Sequence, residues 1–265
     1  MFVRRSSRSG LDALPLTIVV ILVTVIASCT RKRENGAPLP PSSVESDAER
    51  TDGQLRSQMV AQQLAGRDIT NQRVLDAMGR VPRHKFVPPR LQRLAYDDRP
   101  LPIGHGQTIS QPYIVALMTQ LVDPKPTARA LDVGTGSGYQ AAVLAELAKD
   151  VYSIEIVAPL ADEARRRLQS LGYQNIEVRH GDGYRGWPEK APFDVIVVAA
   201  APDHVPQPLV EQLAPGGKMV IPVGDWWQEL LVVEKAENGT VDRRSVAPVA
   251  FVPMTGEAES SRSAP

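Results

Sequence analysis

Gly134, Gly136 and Gly138 alternate with small residues in the run Leu131-Asp132-Val133-Gly134-Thr135-Gly136-Ser137-Gly138-Tyr139. The run reads as a buried strand breaking into a glycine turn and then a helix. One glycine lets the chain turn sharply at the strand end, and the others let backbone N–H groups approach a ligand closely. A dinucleotide fold prefers Gly-x-Gly-x-x-Gly with a pyrophosphate on the helix N-terminus. This run is Gly-x-Gly-x-Gly, and it carries an acid, Asp132, at the strand end. A negative charge there repels phosphate and suits a cationic or hydroxyl-bearing ligand. S-adenosylmethionine, with its sulfonium, amino group and ribose, fits that description better than a dinucleotide.

Two more acids follow at successive strand ends. Val151 to Glu155 reads as a strand ending in Glu155, about where a doubly wound fold binds ribose hydroxyls. Ile176 to His180 reads as a third strand, running into Gly181-Asp182-Gly183, from which a carboxylate could reach an adenine amino group. A plainer alternative makes Glu155 and Asp182 helix caps or turn residues.

The elements that position these groups follow from pattern. Phe193 to Ala199 is a continuous apolar run, as expected of a central parallel strand covered on both faces. Pro215-Gly216-Gly217 turns into a strand over 218–223, and strands at 229–235 and 246–252 are joined by Glu237-Asn238-Gly239-Thr240, a hairpin signal. The fold class is α/β, a mostly parallel sheet with an antiparallel edge. Upstream, helical spacing over 55–64 and 71–78 predicts a small helical extension, with Gly66 ending the first helix. Val81 to Pro89 is expected to lie extended, because its prolines remove donors. Residues 96–112 are loop-like in composition, and a helix follows over 113–121. Ser110 is placed as its N-cap, with Pro112 in the first turn.

Among 265 residues, 30 basic and 30 acidic side chains cancel, so no polyanionic partner is implied. Aromatic residues make up 5% of the chain, too sparse for a base-stacking platform, so nucleic acid is excluded as a partner. The single cysteine rules out an internal disulfide and a Cys/His zinc site. That cysteine ends the oddest segment: Arg4, Arg5 and Arg8 precede an apolar stretch over 13–27, which closes in Ile26-Ala27-Ser28-Cys29. Residues 1–29 resemble a bacterial lipoprotein signal with Cys29 as the lipidated residue, and their length also suits a short membrane anchor. A wrongly chosen start is the third reading. Positive charge at Arg31, Lys32 and Arg33 as well leaves the orientation undecided. Residues 30–51 are rich in Pro, Ser and charge and are expected to form a disordered linker. The folded domain is then 52–255, with a disordered tail over 256–265.

Five blocks, in order, resemble the protein-L-isoaspartate (D-aspartate) O-methyltransferases: Pro100-Leu-Pro-Ile-Gly, Gln107-Thr-Ile-Ser-Gln-Pro, Leu131 to Gln140, Gly181-Asp-Gly and Ala191-Pro-Phe-Asp194. The resemblance spans about Gln58 to Thr255. The glycine block alone would indicate only a class I methyltransferase, whereas Thr108-Ile109-Ser110-Gln111-Pro112 is specific. The resemblance implies a Rossmann-like class I fold, S-adenosylmethionine as cofactor and Ser110 as the active-site residue, a role compatible with capping. It further implies cofactor contacts from Thr108, Ile109, Gly134 and its neighbouring glycines, Glu155, Asp182 and Gly183, with Thr255 near the active site.

The implied reaction methylates the free α-carboxylate of an isoaspartyl residue, or a D-aspartyl side chain, in damaged proteins. The ester then cyclises to a succinimide, whose hydrolysis returns some normal aspartate. An acceptor already ionised near neutral pH needs no strong base, so Ser110 is expected to orient it as a hydrogen-bond donor. A monomer with a cytoplasmic catalytic domain is expected, tethered through residues 13–29 or, alternatively, exported as a lipoprotein. Two other readings stand beside this one: a methyltransferase for a different protein or small-molecule carboxylate, and a membrane-tethered cofactor-binding protein without turnover.

Overall fold

The computed structural model describes residues 43–262. The signal-like segment, Cys29 and the linker as far as residue 42 lie outside the described residues. So do residues 263–265.

A seven-stranded sheet carries the fold. Its strands are β3 (Arg129–Val133), β4 (Asp150–Glu155), β5 (Ile176–His180), β6 (Phe193–Val198), β7 (Leu213–Val223), β8 (Gln228–Lys235) and β9 (Val241–Val249), in the order β5-β4-β3-β6-β7-β8-β9. The five strands from β5 to β7 are parallel, and β8 and β9 add an antiparallel edge. Alternate residues of β3 and β6 enter two separate cores: Ala130, Val195 and Val197 on one face, Leu131, Val133, Ile196 and Val198 on the other. Burial on both faces explains why these strands read as unbroken apolar runs.

On the first face pack α2 (Gln72–Arg80), α3 (Pro112–Val122), α4 (Tyr139–Ala145) and α5 (Ala158–Ser170); α6 (Gln207–Gln212) covers the second. Strand β3 lies between β4 and β6, so the chain leaves it toward opposite sides. That is the switch point at which doubly wound sheets open a crevice beyond the strands' C-terminal ends.

Several expectations are corrected. The N-terminal helix α1 runs Ser43–Gln58 and continues as a π-helical stretch over Met59–Ala65. It therefore begins inside the segment expected to be a linker, and Met59 and Leu64 are buried in the first core. Val81 to Pro89 is not extended. It forms 3-10 turns at Arg83–Phe86 and Pro89–Leu94, which proline's fixed φ permits at a first turn. The loop-like segment contains an antiparallel hairpin, β1 (Leu101–Gly104) with β2 (Gln107–Ile109), whose turn uses Gly104 and Gly106 at positive φ.

Strand β9 starts five residues before the expected position, because the tight Asn238-Gly239 turn lets Val241 pair with Lys235 at once. It ends at Val249, where a bracket from Gln228 on the backbone of Phe251 and a bridge between Ala201 and Pro253 redirect the chain toward the switch point. The tail forms α7 (Glu257–Arg262), fixed by Glu257 N–H donating to Asp182 Oδ2 at 2.9 Å and by an Arg185–Glu257 ion pair. Among the described residues, no helix is long and apolar enough to cross a membrane.

Candidate active site

The glycine turn closes over the end of β3. Gly134, Gly136 and Gly138 all take positive φ, which other L residues rarely adopt. Backbone bonds staple the turn to both neighbours: Gly134 N–H and Thr135 N–H donate to Ile154 O, and Ala199 N–H donates to Val133 O. Glu155, at the end of β4 and 5% exposed, accepts from Gly136 N–H at 2.7 Å through one oxygen and from Val157 N–H at 2.9 Å through the other. Each oxygen keeps a second lone pair for a hydroxyl donor.

Above the turn lies an open cleft. Its walls are Gln107 to Ser110, the turn from Val133 to Ser137, Tyr139 and Gln140 of α4, Ile154 to Ile156, Gly183, Ala199 and Ala200, and Val252 to Thr255. Of the residues expected here, Thr108, Ile109, Ser110, Gly134, Gly136, Glu155, Gly183 and Thr255 are brought together on it.

Three are not on its wall. Asp132 is completely buried under the turn, where Ser153 Oγ donates to its Oδ2 at 2.7 Å while Oδ1 has no partner among the described residues. Thr135 Oγ1 is 2.6 Å from Ser153 Oγ, so the pair connects the turn to the buried acid. Burial pushes the Asp132 carboxyl up to about 7, with the Glu155 charge acting in the same direction. Gly138 is the left-handed N-cap of α4, and a Cβ there would meet Leu168 at 3.2 Å. Asp182 caps the turn over Gly183–Arg185, accepting Tyr184 N–H at 2.9 Å and, on its other oxygen, Glu257 N–H. The plainer turn reading therefore describes Asp182 here.

Ser110 is not the cap of α3. The N-cap position falls on Gln111, without a side-chain cap bond, and Asp98 Oδ1 accepts Tyr113 N–H at 3.0 Å instead. Among the described residues the Ser110 hydroxyl has no partner, and Ser110 faces two clefts. The second and larger is lined by Pro100, Gln111, Ile114 and Pro248 to Val252, and it shares Thr108, Ser110, Ala199 and Val252 with the first.

Sequence reasoning missed Arg83. It is completely buried, donating from Nη2 to Ser110 O and from Nε to Ala95 O, both at 2.7 Å, with its guanidinium 4.8 Å from the Tyr139 ring. Burial lowers its pKa to about 10, still cationic at neutral pH. Its one signal was a basic run, Arg83-His84-Lys85, set between Pro82 and the Phe86-Val87-Pro88 segment. The strap Val252–Thr255 was also only partly legible, because its approach depends on pairing with Ala201.

The fit to a nucleoside-bearing cofactor is carried by close approach and acceptors, because the expected backbone donors of Gly134, Thr135 and Gly136 are already bonded to Ile154 and Glu155. The glycine-rich turn lets a ligand lie close, Glu155 offers acceptors, and Gly183 packs so closely that a Cβ would lie 2.5 Å from Val133 Cγ1. A doubly wound sheet with its glycine turn at the switch point and an acid at the end of the next strand defines a class I methyltransferase.

The sequence profile of Protein-L-isoaspartate(D-aspartate) O-methyltransferase (PCMT) matches residues 54–259. A protein-L-isoaspartate O-methyltransferase 2 of a Polaromonas species is 59% identical over 194 residues, 72% of this chain and 92% of its own. A protein-L-isoaspartate O-methyltransferase 1 of Cupriavidus necator is 50% identical over 246 residues, 92% of both chains. Among solved structures, a putative protein-L-isoaspartate O-methyltransferase of Plasmodium falciparum, in complex with S-adenosyl-L-homocysteine, aligns at TM-score 0.66 and 28% identity, covering 76% of this chain and 98% of that one. The chain belongs to the protein-L-isoaspartate (D-aspartate) O-methyltransferase family.

Proposed function

We propose that this chain transfers a methyl group from S-adenosylmethionine to the free carboxylate of L-isoaspartyl, or D-aspartyl, residues in damaged proteins, initiating repair through a succinimide. The observation that carries the reading is the meeting of two clefts at Thr108 and Ser110, one built from the glycine turn and Glu155, the other apolar and open to a polypeptide. When bound, S-adenosylmethionine supplies a methyl carbon on a sulfonium sulfur, whose bond breaks with its electron pair returning to sulfur as the acceptor oxygen bonds to carbon.

This chain's residues supply positioning. Glu155 accepts from the ribose hydroxyls, and the turn from Gly134 to Ser137, its first three N–H groups held by Ile154 and Glu155, lies against the cofactor. Thr108, Ile109, Gly183 and Thr255 wall it in. Asp132, Gly138 and Asp182 act at one remove, by holding the glycine turn, the start of α4 and the turn at Gly183. The Ser110 hydroxyl donates to the acceptor carboxylate and aims one of its oxygens at the methyl carbon. No proton is abstracted, because the carboxylate is ionised at neutral pH. Alignment of the reacting atoms and the exclusion of water by the apolar walls are what such a site contributes.

The test uses the full chain, a radiolabelled methyl donor, and one synthetic peptide in isoaspartyl and normal aspartyl forms. Base-labile label confined to the isoaspartyl form is expected. Equal labelling of both forms would assign a general carboxyl methyltransferase, and label in neither, with cofactor binding intact, would overturn the substrate.

A further inference from the structure

Trp226 and Trp227 are large hydrophobic side chains left exposed, at 103% and 69% of full accessibility. They are adjacent in the turn Gly224-Asp225-Trp226-Trp227 between β7 and β8. Turn geometry accounts for Gly224, which takes φ +128 and whose Cβ would lie 2.0 Å from Trp227 O. It does not account for two indoles, since turn tips are ordinarily small or polar. A paired exposed indole patch on a folded surface is the kind of feature that marks binding.

The turn lies beside the larger cleft. Strand β7 runs parallel to β6 with Val220 opposite Val197, so its C-terminal end reaches the same edge of the sheet as Ala199, and Gly224 N–H donates to Pro202 O at 2.9 Å. On the other side, Gln228, which follows Trp227, pairs with Val249 and holds Phe251 by two bonds, Nε2 to the carbonyl at 3.1 Å and the N–H to Oε1 at 2.6 Å. Val249 and Phe251 line the cleft. Trp227 is thus one residue along the strand, about 3.3 Å, from Gln228, whose paired partner Val249 lines the cleft about 4.8 Å away on the neighbouring strand.

We propose that Trp226 and Trp227 form an apolar ledge that binds side chains flanking the modified residue in the acceptor polypeptide, selecting acceptors with large apolar neighbours. The proposal rests on the reading of the larger cleft as the acceptor subsite. An extended segment entering that cleft projects alternate side chains to either side, and those a few residues from the isoaspartyl group emerge at the turn. Indoles suit this work because each offers about 150–250 Å² of rigid apolar surface, and tryptophan is prominent among residues that dominate binding.

The experiment compares the full wild-type chain with the double variant Trp226→Ala, Trp227→Ala on two isoaspartyl peptides, one flanked by Leu and Phe, the other by Gly and Ser. For the apolar peptide, KM is expected to rise about tenfold in the variant, or ~1.4 kcal/mol. KM for the Gly/Ser peptide and affinity for S-adenosylhomocysteine should stay unchanged. Equal KM changes for both peptides, or none, overturn the ledge. Wild-type chain inactive on both peptides overturns the functional reading and the ledge with it. Co-sedimentation with phosphatidylcholine/phosphatidylglycerol vesicles, lost in the variant while both KM values hold, would assign the indoles to a lipid surface instead and overturn the proposal.

Discussion

Asp132→Asn separates a buried structural acid from a cofactor ligand. In the native chain Asp132 is completely buried, and its carboxyl is raised from 3.8 to about 7. An acid whose folded pKa lies above its unfolded value keeps its proton in the native state while the unfolded chain has lost it. Between about pH 4 and 7 the native state therefore binds more protons, and stability falls as pH rises through that window, levelling above it. At about 1.36 kcal/mol per unit the full effect is about 4 kcal/mol.

Asparagine is the neutral isostere. Its carbonyl oxygen can still accept from Ser153 Oγ, and its amide takes the place of the Oδ1 that has no partner among the described residues. Urea unfolding of both proteins between pH 4.5 and 8 should give a stability difference that grows by at least about 2 kcal/mol in the variant's favour toward high pH. Other titrating groups cancel in that difference. Affinity for S-adenosylhomocysteine should change by less than about threefold, since Asp132 does not line the cleft. Stability curves separated by a constant amount at every pH would refute the buried-acid reasoning. A tenfold loss of affinity would return Asp132 to direct contact with the cofactor.

Ser110→Ala should reduce kcat/KM on an isoaspartyl peptide by about 10- to 100-fold, the range for one hydrogen bond to a charged group, with S-adenosylhomocysteine affinity retained in calorimetry. Equal loss of cofactor binding would make Ser110 a cofactor or structural residue. Glu155→Gln leaves one acceptor oxygen where two backbone N–H groups now donate, and calorimetry should show cofactor affinity reduced by about tenfold or more. Arg83→Met frees the carbonyls of Ser110 and Ala95. It should lower unfolding free energy by about 3 kcal/mol in denaturant melts and lower turnover at saturating cofactor, whereas an effect on stability alone would confine Arg83 to the core.

Local chemistry made part of this site legible. Asp132 to Tyr139 could be read as strand, turn and helix because glycine spacing and apolar runs are properties of contiguous residues, and Glu155 followed from its strand. Contacts between distant segments could not be read in the same way. Asp98 replaces Ser110 at the start of α3 across fifteen residues of chain, so a capping rule applied locally picks the wrong oxygen. Prolines and glycines between Pro100 and Gly106 read as loop, yet the same residues close the hairpin of β1 and β2. Asp132 was misjudged for a different reason: a strand side chain points to one face or the other, and only the packed sheet shows that this one points into the first core beside Val197 and Ser153.

The arrangement around Ser110 also explains why a short hairpin sits outside the main sheet. Among the described residues strand β2 pairs only with β1, so no backbone pairing to the seven-stranded sheet fixes the height of Thr108 and Ser110 over the glycine turn. Arg83 supplies that constraint by holding the carbonyl of Ser110 from below, while its guanidinium lies against Tyr139, a residue of the cofactor cleft wall. The opposite wall is fixed by the exchange of backbone bonds between Ala201 and the strap, Ala201 N–H to Val252 O and Met254 N–H to Ala201 O. Methyl transfer depends on an in-line approach of oxygen to carbon, to which small displacements are costly. Both walls where the clefts meet are therefore tied to buried or paired backbone, and the Ser110 hydroxyl, without a partner among the described residues, is what the proposed function assigns to the acceptor.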